Sequence, residues 1–228
     1  MPKHLKPLIL GALLALLLLT ISIQPAYAWT QLKTTFDSDG NPNCGRNSSL
    51  PCILWQEPPN TSITIYAYMD PSIQSTLWDD AIQLGFTSYN GVLAWNPYMQ
   101  ECLTVGCGPT TYLKGPIPCQ FFARTNTDAF LSAPFYTGSY WKAYITGGTV
   151  TFNDQVSWNT QWMWVTFDEN HGLCNGLKAD IREVSAHETG HLQGLGHTKH
   201  SPALMETGPQ NFWTVQSDDV AGLQYIYG

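Results

Sequence analysis

Three of the chain's six histidines fall within "HETGHLQGLGH", residues 187 to 197, four and then six positions apart. At about 100° per residue, His187 and His191 sit one turn apart on one helical face, where two imidazoles can share a metal ion. Were the helix to continue, His197 would lie about 240° around from His191 and roughly 9 Å farther along the axis, out of reach of that ion. The spacing therefore predicts that the helix stops and the backbone bends back. Gly194 can supply the left-handed conformation that such a stop uses. Three neutral imidazoles would leave the fourth position of a tetrahedral zinc open to water. Glu188, next to the first ligand, is the candidate general base, able to take a proton from that water and pass it to a leaving amine. The chemistry predicted is hydrolysis of a peptide bond.

H-E-x-x-H by itself recurs by chance, so its surroundings matter. Here Gly194 and His197 lengthen the motif, and Met205 follows eight residues on. Gly190 stands inside the predicted helix, where glycine costs about 1 kcal/mol relative to alanine; close packing beneath the metal is the reading favoured. His171 and His200 are expected outside the ligand set.

The elements that must position these residues are read from periodicity. Residues 177–193 are expected to form the helix that carries the motif, with Asp180 in its first turn, favourable at the positive end of the dipole. In "SITIYAYM", Ile63, Ile65, Ala67 and Met69 share one face, which predicts a half-buried strand over 62–69. A helix over about 72–86 follows, with Asp70 as cap and Pro71 beside it, and with Ile73, Leu77, Ala81 and Leu84 at helical intervals. Residues 91–147 show no sustained period and are expected to form strands and long loops. "GTVTFND" is a credible strand with Val150 and Phe152 inward. The closing "SDDVAGLQYIYG" is a helix with Ser217 as N-cap, Asp218 and Asp219 complementing the dipole, and Val220, Leu223 and Ile226 inward. Residues 29–61, rich in Pro, Asn, Ser and Gly, are expected to be an irregular lead-in.

The N-terminus carries Lys3 and Lys6, a nearly unbroken apolar run from Leu8 to Ile23, then Ala26-Tyr27-Ala28. The run is short of the roughly 20 residues a spanning helix needs. It reads as a signal peptide, residues 1–28, and implies export, no stable membrane anchor and a secreted, extracellular location. Its removal from the 228 residues would leave 200, enough for one domain, and would move the formal net charge from −7 to −9. No basic cluster is present, which argues against nucleic acid as a partner. All six cysteines lie in the exported part, and an even count there reads as three disulfides. Short loops favour Cys44–Cys52 and Cys102–Cys107, leaving Cys119–Cys174, as a preference among about 15 connectivities. Trp158, Trp162 and Trp164 could line a substrate surface, though core packing is the more ordinary use of such residues.

On "KADIREVSAHETGHLQGLGHT", on "ALM" ending in Met205, and on the closing helix ending in Tyr-Gly, the sequence resembles the metzincin zinc peptidases, more narrowly the matrixin (matrix metalloproteinase) type. "GTVTFND" followed by Trp158 resembles that family's strand before the active-site helix. The resemblance implies an α+β metzincin fold, a twisted, mostly parallel sheet of about five strands with three helices. It implies His187, His191 and His197 as ligands of one catalytic zinc, Glu188 as general base, and Met205 as a hydrophobic floor under the metal. The loop from Glu206 to Gln216 would shape the substrate pocket. Thr151 and Asn153 stand where matrixins carry a ligand of a second, structural zinc, and no dense acidic loop suggests calcium. "NPNCGRN" around Cys44 only faintly resembles the family's inhibitory cysteine switch, and Cys52 is nearby as a partner. The expectation is a monomeric, exported zinc endopeptidase acting on proteins or peptides. The competing expectation is a non-catalytic exported binding protein on the same scaffold with zinc as a staple, a role that has no use for Glu188. A zinc peptidase class with glutamate as third ligand is disfavoured by His197 at the matrixin offset.

Overall fold

Alternating apolar and polar residues give a strand two unlike faces, and that pattern is realised at the centre of the sheet. The computed structural model describes residues 53–55, 62–74, 76–118, 121–131, 143–159, 178–206, 208 and 210–227. In it, β2 (Thr64–Met69) buries Ile65, Ala67 and Met69 and exposes Thr64 and Tyr66. Tyr68, expected on the outer face, is buried as well. β2 lies between β3 (Tyr98–Cys102) and β4 (Thr110–Gly115), parallel to both. β4 pairs in parallel with β6 (Ala143–Asn153), whose Val150 and Phe152 are fully buried as their alternation predicted. β5 (Ala123–Leu131) runs antiparallel along the other side of β6 and forms an edge among the described residues.

β1 (Ile53–Trp55) pairs in parallel with the first residues of β6. It lies inside the stretch read as irregular: three apolar residues between proline- and asparagine-rich flanks are too short a run to show a period. Among the described residues the sheet thus has six strands, one of them antiparallel, and a separate parallel pair is made by β7 (Ser157–Asn159) and β8 (Lys178–Asp180). Among the described residues three α-helices complete the α+β fold: α1 (Leu77–Phe86), α2 (Ile181–Leu192) and α3 (Ser217–Tyr227).

Each helix begins later, or is capped differently, than its sequence suggests. Asp70 does not cap α1; its carboxylate accepts the Ser72 N–H in a local turn, and Thr76 is the cap, accepting the Trp78 N–H. The buried face is Ala81, Ile82, Gly85 and Phe86, whereas Leu77 and Leu84 are exposed. Gly85 is needed there, because a Cβ would overlap the Arg182 carbonyl and Ser185 of α2. Ser185 Oγ donates to Ile82 O at 2.8 Å across the same close contact. α2 starts at Ile181 rather than near 177, because residues 178–180 are taken by β8 and Asp180 becomes the N-cap, accepting the Arg182 N–H. Ser217 falls inside α3, and the orphan N–H of Gln216 is satisfied by Asp219. Leu223 and Ile226 are buried, while Val220 is half-buried.

Trp158 packs with Trp78, Phe122 and Phe152, at ring centroid distances of 5.9, 6.2 and 5.7 Å, and its indole N–H donates to Asn153 O. It serves the core. The Cys102–Cys107 disulfide is formed. Residues 1–28, Cys44, Cys52, Cys119, Cys174, His171, Trp162 and Trp164 lie outside the described residues. Among the described residues no helix is long and apolar enough to cross a membrane.

Candidate metal centre

α2 ends where the histidine spacing requires. Gln193 closes it, and Gly194 adopts φ +92°. The Gly194 N–H donates to His191 O at 3.0 Å and the Leu195 N–H to Gly190 O at 2.9 Å, the paired bonds of a left-handed helix stop. The last carbonyls of α2 are then capped from far along the chain. Trp55 Nε1 donates to Leu192 O at 2.7 Å, and the Tyr227 hydroxyl donates to Gln193 O at 3.0 Å. The bend returns His197 toward the helix.

The ring nitrogens of His187, His191 and His197 gather within 4.8 Å of one another. His197 Nε2 lies 3.0 Å from His187 Nε2 and 3.2 Å from His191 Nε2. The tautomers of the two helical histidines follow from their other nitrogens. His187 Nδ1 is 2.8 Å from Leu204 O and His191 Nδ1 is 2.8 Å from Leu195 O. A carbonyl can only accept, so both Nδ1 carry the proton and both Nε2 present a lone pair to the cluster. Burial, with His191 as the next cause, lowers the His187 pKa to about 3 and also lowers that of His197. Both shifts favour the neutral imidazole at His187 and His197, the form a cation needs. Tetrahedral zinc with ligands at about 2.0–2.1 Å separates its nitrogens by roughly 3.3 Å, close to the spacing found. The donor set fits that ion.

Beneath the histidines, Met205 is buried and Tyr89 OH lies 3.5 Å from its sulfur. A Cβ on Gly190 would overlap both Met205 Sδ and Tyr89 OH, so the glycine inside the helix is a packing requirement of the site. The segment holding Met205 is fixed by Asp219, a carboxylate 1% exposed. Its Oδ2 accepts the N–H of Leu204 and that of Gln216, each at 2.8 Å, and its Oδ1 accepts the Met205 N–H at 3.1 Å. Burial raises the Asp219 pKa against the pull of these three donors. Leu204 thus donates to Asp219 and accepts from His187, which links α3 to the first histidine of the cluster. The Thr198 N–H donates to Met205 O at 2.9 Å, which ties the returning limb of the bend to the same segment.

Glu188 is buried to 8% exposure, and its Oε2 accepts the Thr125 hydroxyl at 2.6 Å from the edge strand β5. Glu183, one turn ahead of His187, accepts the N–H of Gln210 and, at 3.0 Å, that of Asn211, holding the loop after Met205. Asn153 uses its side chain to bond Phe121 O and the Gln155 N–H. His200 is exposed, outside the histidine cluster. Thr125, Glu183, Trp55 and Tyr227 are partners that sequence reasoning did not single out. Asp219 was seen only as a dipole complement.

The matrixin family model matches residues 117–228, which include every one of these histidines, Glu188, Met205 and Asp219. The chain carries a matrixin-like domain. It is 46% identical over 52 residues to matrix metalloproteinase-19 of Mus musculus, a match covering 22% of this chain and 10% of that protein. Stromelysin-3 of Xenopus laevis is 35% identical over 68 residues, or 27% of this chain and 13% of the relative. Metalloendoproteinase 2-MMP of Arabidopsis thaliana is 42% identical over 53 residues, 22% of this chain and 14% of the relative. The matched part of the chain therefore spans at most about a seventh of the length of these curated relatives. The matched residues begin before β5 and run through α3, so β1, β2, α1, β3 and β4 lie upstream of them.

Proposed function

We propose that the protein is a secreted zinc endopeptidase, with His187, His191 and His197 as ligands of one catalytic zinc and Glu188 as general base. The observation that carries this reading is the convergence of three imidazoles, two of them oriented by Nδ1–H bonds to backbone carbonyls, beside the helix that also bears the buried Glu188 carboxylate. When bound, zinc supplies Lewis acidity toward a substrate carbonyl and toward water. The chain's own residues supply the rest. Glu188 accepts the proton of the attacking water and returns it to the departing amine. Met205, packed against Gly190, holds the floor of the ligand helix. The edge that β5 forms among the described residues and the loop fixed by Glu183 would border a bound peptide. The Cys102–Cys107 disulfide supports an oxidising destination, as export requires.

Cleavage of a broad peptide library by the zinc-loaded protein tests the proposal, with the Glu188→Ala variant beside it. The variant is expected to keep one zinc and lose activity by about 10² to 10⁴, the usual contribution of an acid–base group. A zinc-loaded wild type that cuts no peptide would instead favour a binding protein with a structural metal.

A further inference from the structure

Thr125 has no place in the motif that points to the site, and it comes from a stretch whose sequence shows no period. It is half-buried on β5, and its hydroxyl lies 2.6 Å from Glu188 Oε2 and 3.2 Å from the Glu188 carbonyl oxygen. Both partners accept, and a hydroxyl has one proton to give. The shorter contact has the length of an O–H bond to a carboxylate, the stronger of the two kinds. A glutamate side chain has three rotatable bonds, and neither burial nor the helix fixes the last of them, which sets the plane of the carboxylate. A directional bond from a rigid neighbouring strand does fix it. β5 is such a strand: its backbone pairs with β6 from Ala123↔Phe152 onward, and Thr125 itself stands opposite Val150 of the core.

We propose that Thr125 is a positioning residue for Glu188. Its hydroxyl ties Oε2 to the edge strand, holds the carboxylate in one plane and leaves proton transfer to the other oxygen. The inference rests on Glu188 being the general base, as argued above. It also goes beyond that reading, since it makes the edge strand part of the acid–base apparatus as well as a border of the substrate's path.

Thr125→Val exchanges the hydroxyl for a methyl of nearly the same size, so packing against α2 is preserved while the bond is lost. In the zinc-loaded enzyme, kcat is expected to fall roughly 10- to 100-fold, the range for a hydrogen bond to a charged group, with KM changed less than about twofold. Thr125→Ser, which restores a hydroxyl, should recover kcat to within about threefold of wild type. Zinc content should match wild type in both variants. A crystal structure of Thr125→Val should show the Glu188 carboxylate rotated away from β5. Retention of kcat by Thr125→Val, failure of the serine to rescue, or an unmoved carboxylate in that crystal structure would each overturn the assignment. Should wild type cleave nothing, the proposed function fails on its own account, and the crystal structure still decides whether Thr125 orients Glu188.

Discussion

Replacing Asp219 with asparagine isolates the polar anchor behind the metal centre. Three backbone N–H groups point at this carboxylate, two on Oδ2 and one on Oδ1, and the side chain is all but inaccessible to water. An asparagine of the same shape keeps one oxygen. Its best orientation leaves that oxygen on the Oδ2 side, where it can still accept from Leu204 and Gln216. The NH₂ group then faces the Met205 N–H at the distance now held by a hydrogen bond, so one bond is lost and two donors oppose each other. The two surviving bonds weaken from charged to neutral, from about 1.5–3 to about 0.5–1.5 kcal/mol each. Relief from burying a charge offsets part of this, as the raised pKa of Asp219 indicates. The net expectation is a loss of roughly 2–4 kcal/mol in stability. The metal centre should feel it as well, because the Leu204 peptide held by Asp219 is the one that accepts His187 Nδ1–H. Partners of this kind are usually worth 10- to 100-fold in metal affinity; with the direct partner retained, about tenfold is expected. Urea unfolding of zinc-free protein measures the first quantity, and competition with a chromophoric chelator the second. Stability within about 0.5 kcal/mol of wild type, together with zinc affinity within twofold, would refute the linkage.

Other outcomes follow from the same geometry. Gly190→Ala would gain about 1 kcal/mol of helix propensity at an exposed position, yet here the new Cβ meets Met205 and Tyr89, so a net destabilisation of roughly 1–2 kcal/mol is expected in urea unfolding; a stabilised variant would show that the floor is loosely packed. Glu183 is raised to a pKa of about 7, chiefly by burial and against the two loop N–H donors, so the folded state binds its proton more readily than the unfolded state. Stability should therefore fall as pH rises from about 4.5 to about 7, by about 3 kcal/mol from this group, and Glu183→Gln should flatten that slope in unfolding titrations.

The histidine cluster was legible because its constraints are local. A four-residue histidine spacing, a glycine at the stop and a third histidine out of phase together dictate a helix, a reversal and a cluster, whatever the rest of the chain does. The sheet was legible where one face alternates, as in β2 and at the end of β6. What could not be read depends on residues distant in sequence. The Trp55 bond to Leu192 O spans 137 positions and the Thr125 bond to Glu188 spans 63. Neither side chain carries a local signal, since a tryptophan in an apolar triplet and a threonine in a strand are ordinary. The helix starts were misplaced for a different reason. Asp70-Pro71 and Ser217 have the chemistry of caps, but Asp70 spends its carboxylate on a local turn, and Asp219 reaches back to Gln216. Side chains that compete for the same kind of backbone donor cannot be ranked without the path of the chain.

The arrangement explains why so little of the site's precision resides in the histidines themselves. His187 is oriented by a carbonyl of the segment at Leu204, and His191 by a carbonyl of the bend at Leu195. The bend is anchored to Gly190 O at one end and to Met205 O at the other. The segment at Leu204 is anchored by Asp219 of α3, and α3 returns to the ligand helix through the Tyr227 hydroxyl on Gln193 O. These links close a ring: helix, bend, methionine segment, closing helix, and helix again. In a closed ring neither the bend nor the methionine segment can shift without breaking hydrogen bonds to two other segments. Substitutions far from the metal but within the ring should then perturb it more than exposed substitutions nearer to it. Asp219 and Exposed His200 are the pair that sets this contrast. His200 stands three residues from a ligand yet lies outside the ring, and its loss should leave zinc affinity unchanged in the assay that detects the Asp219 variant.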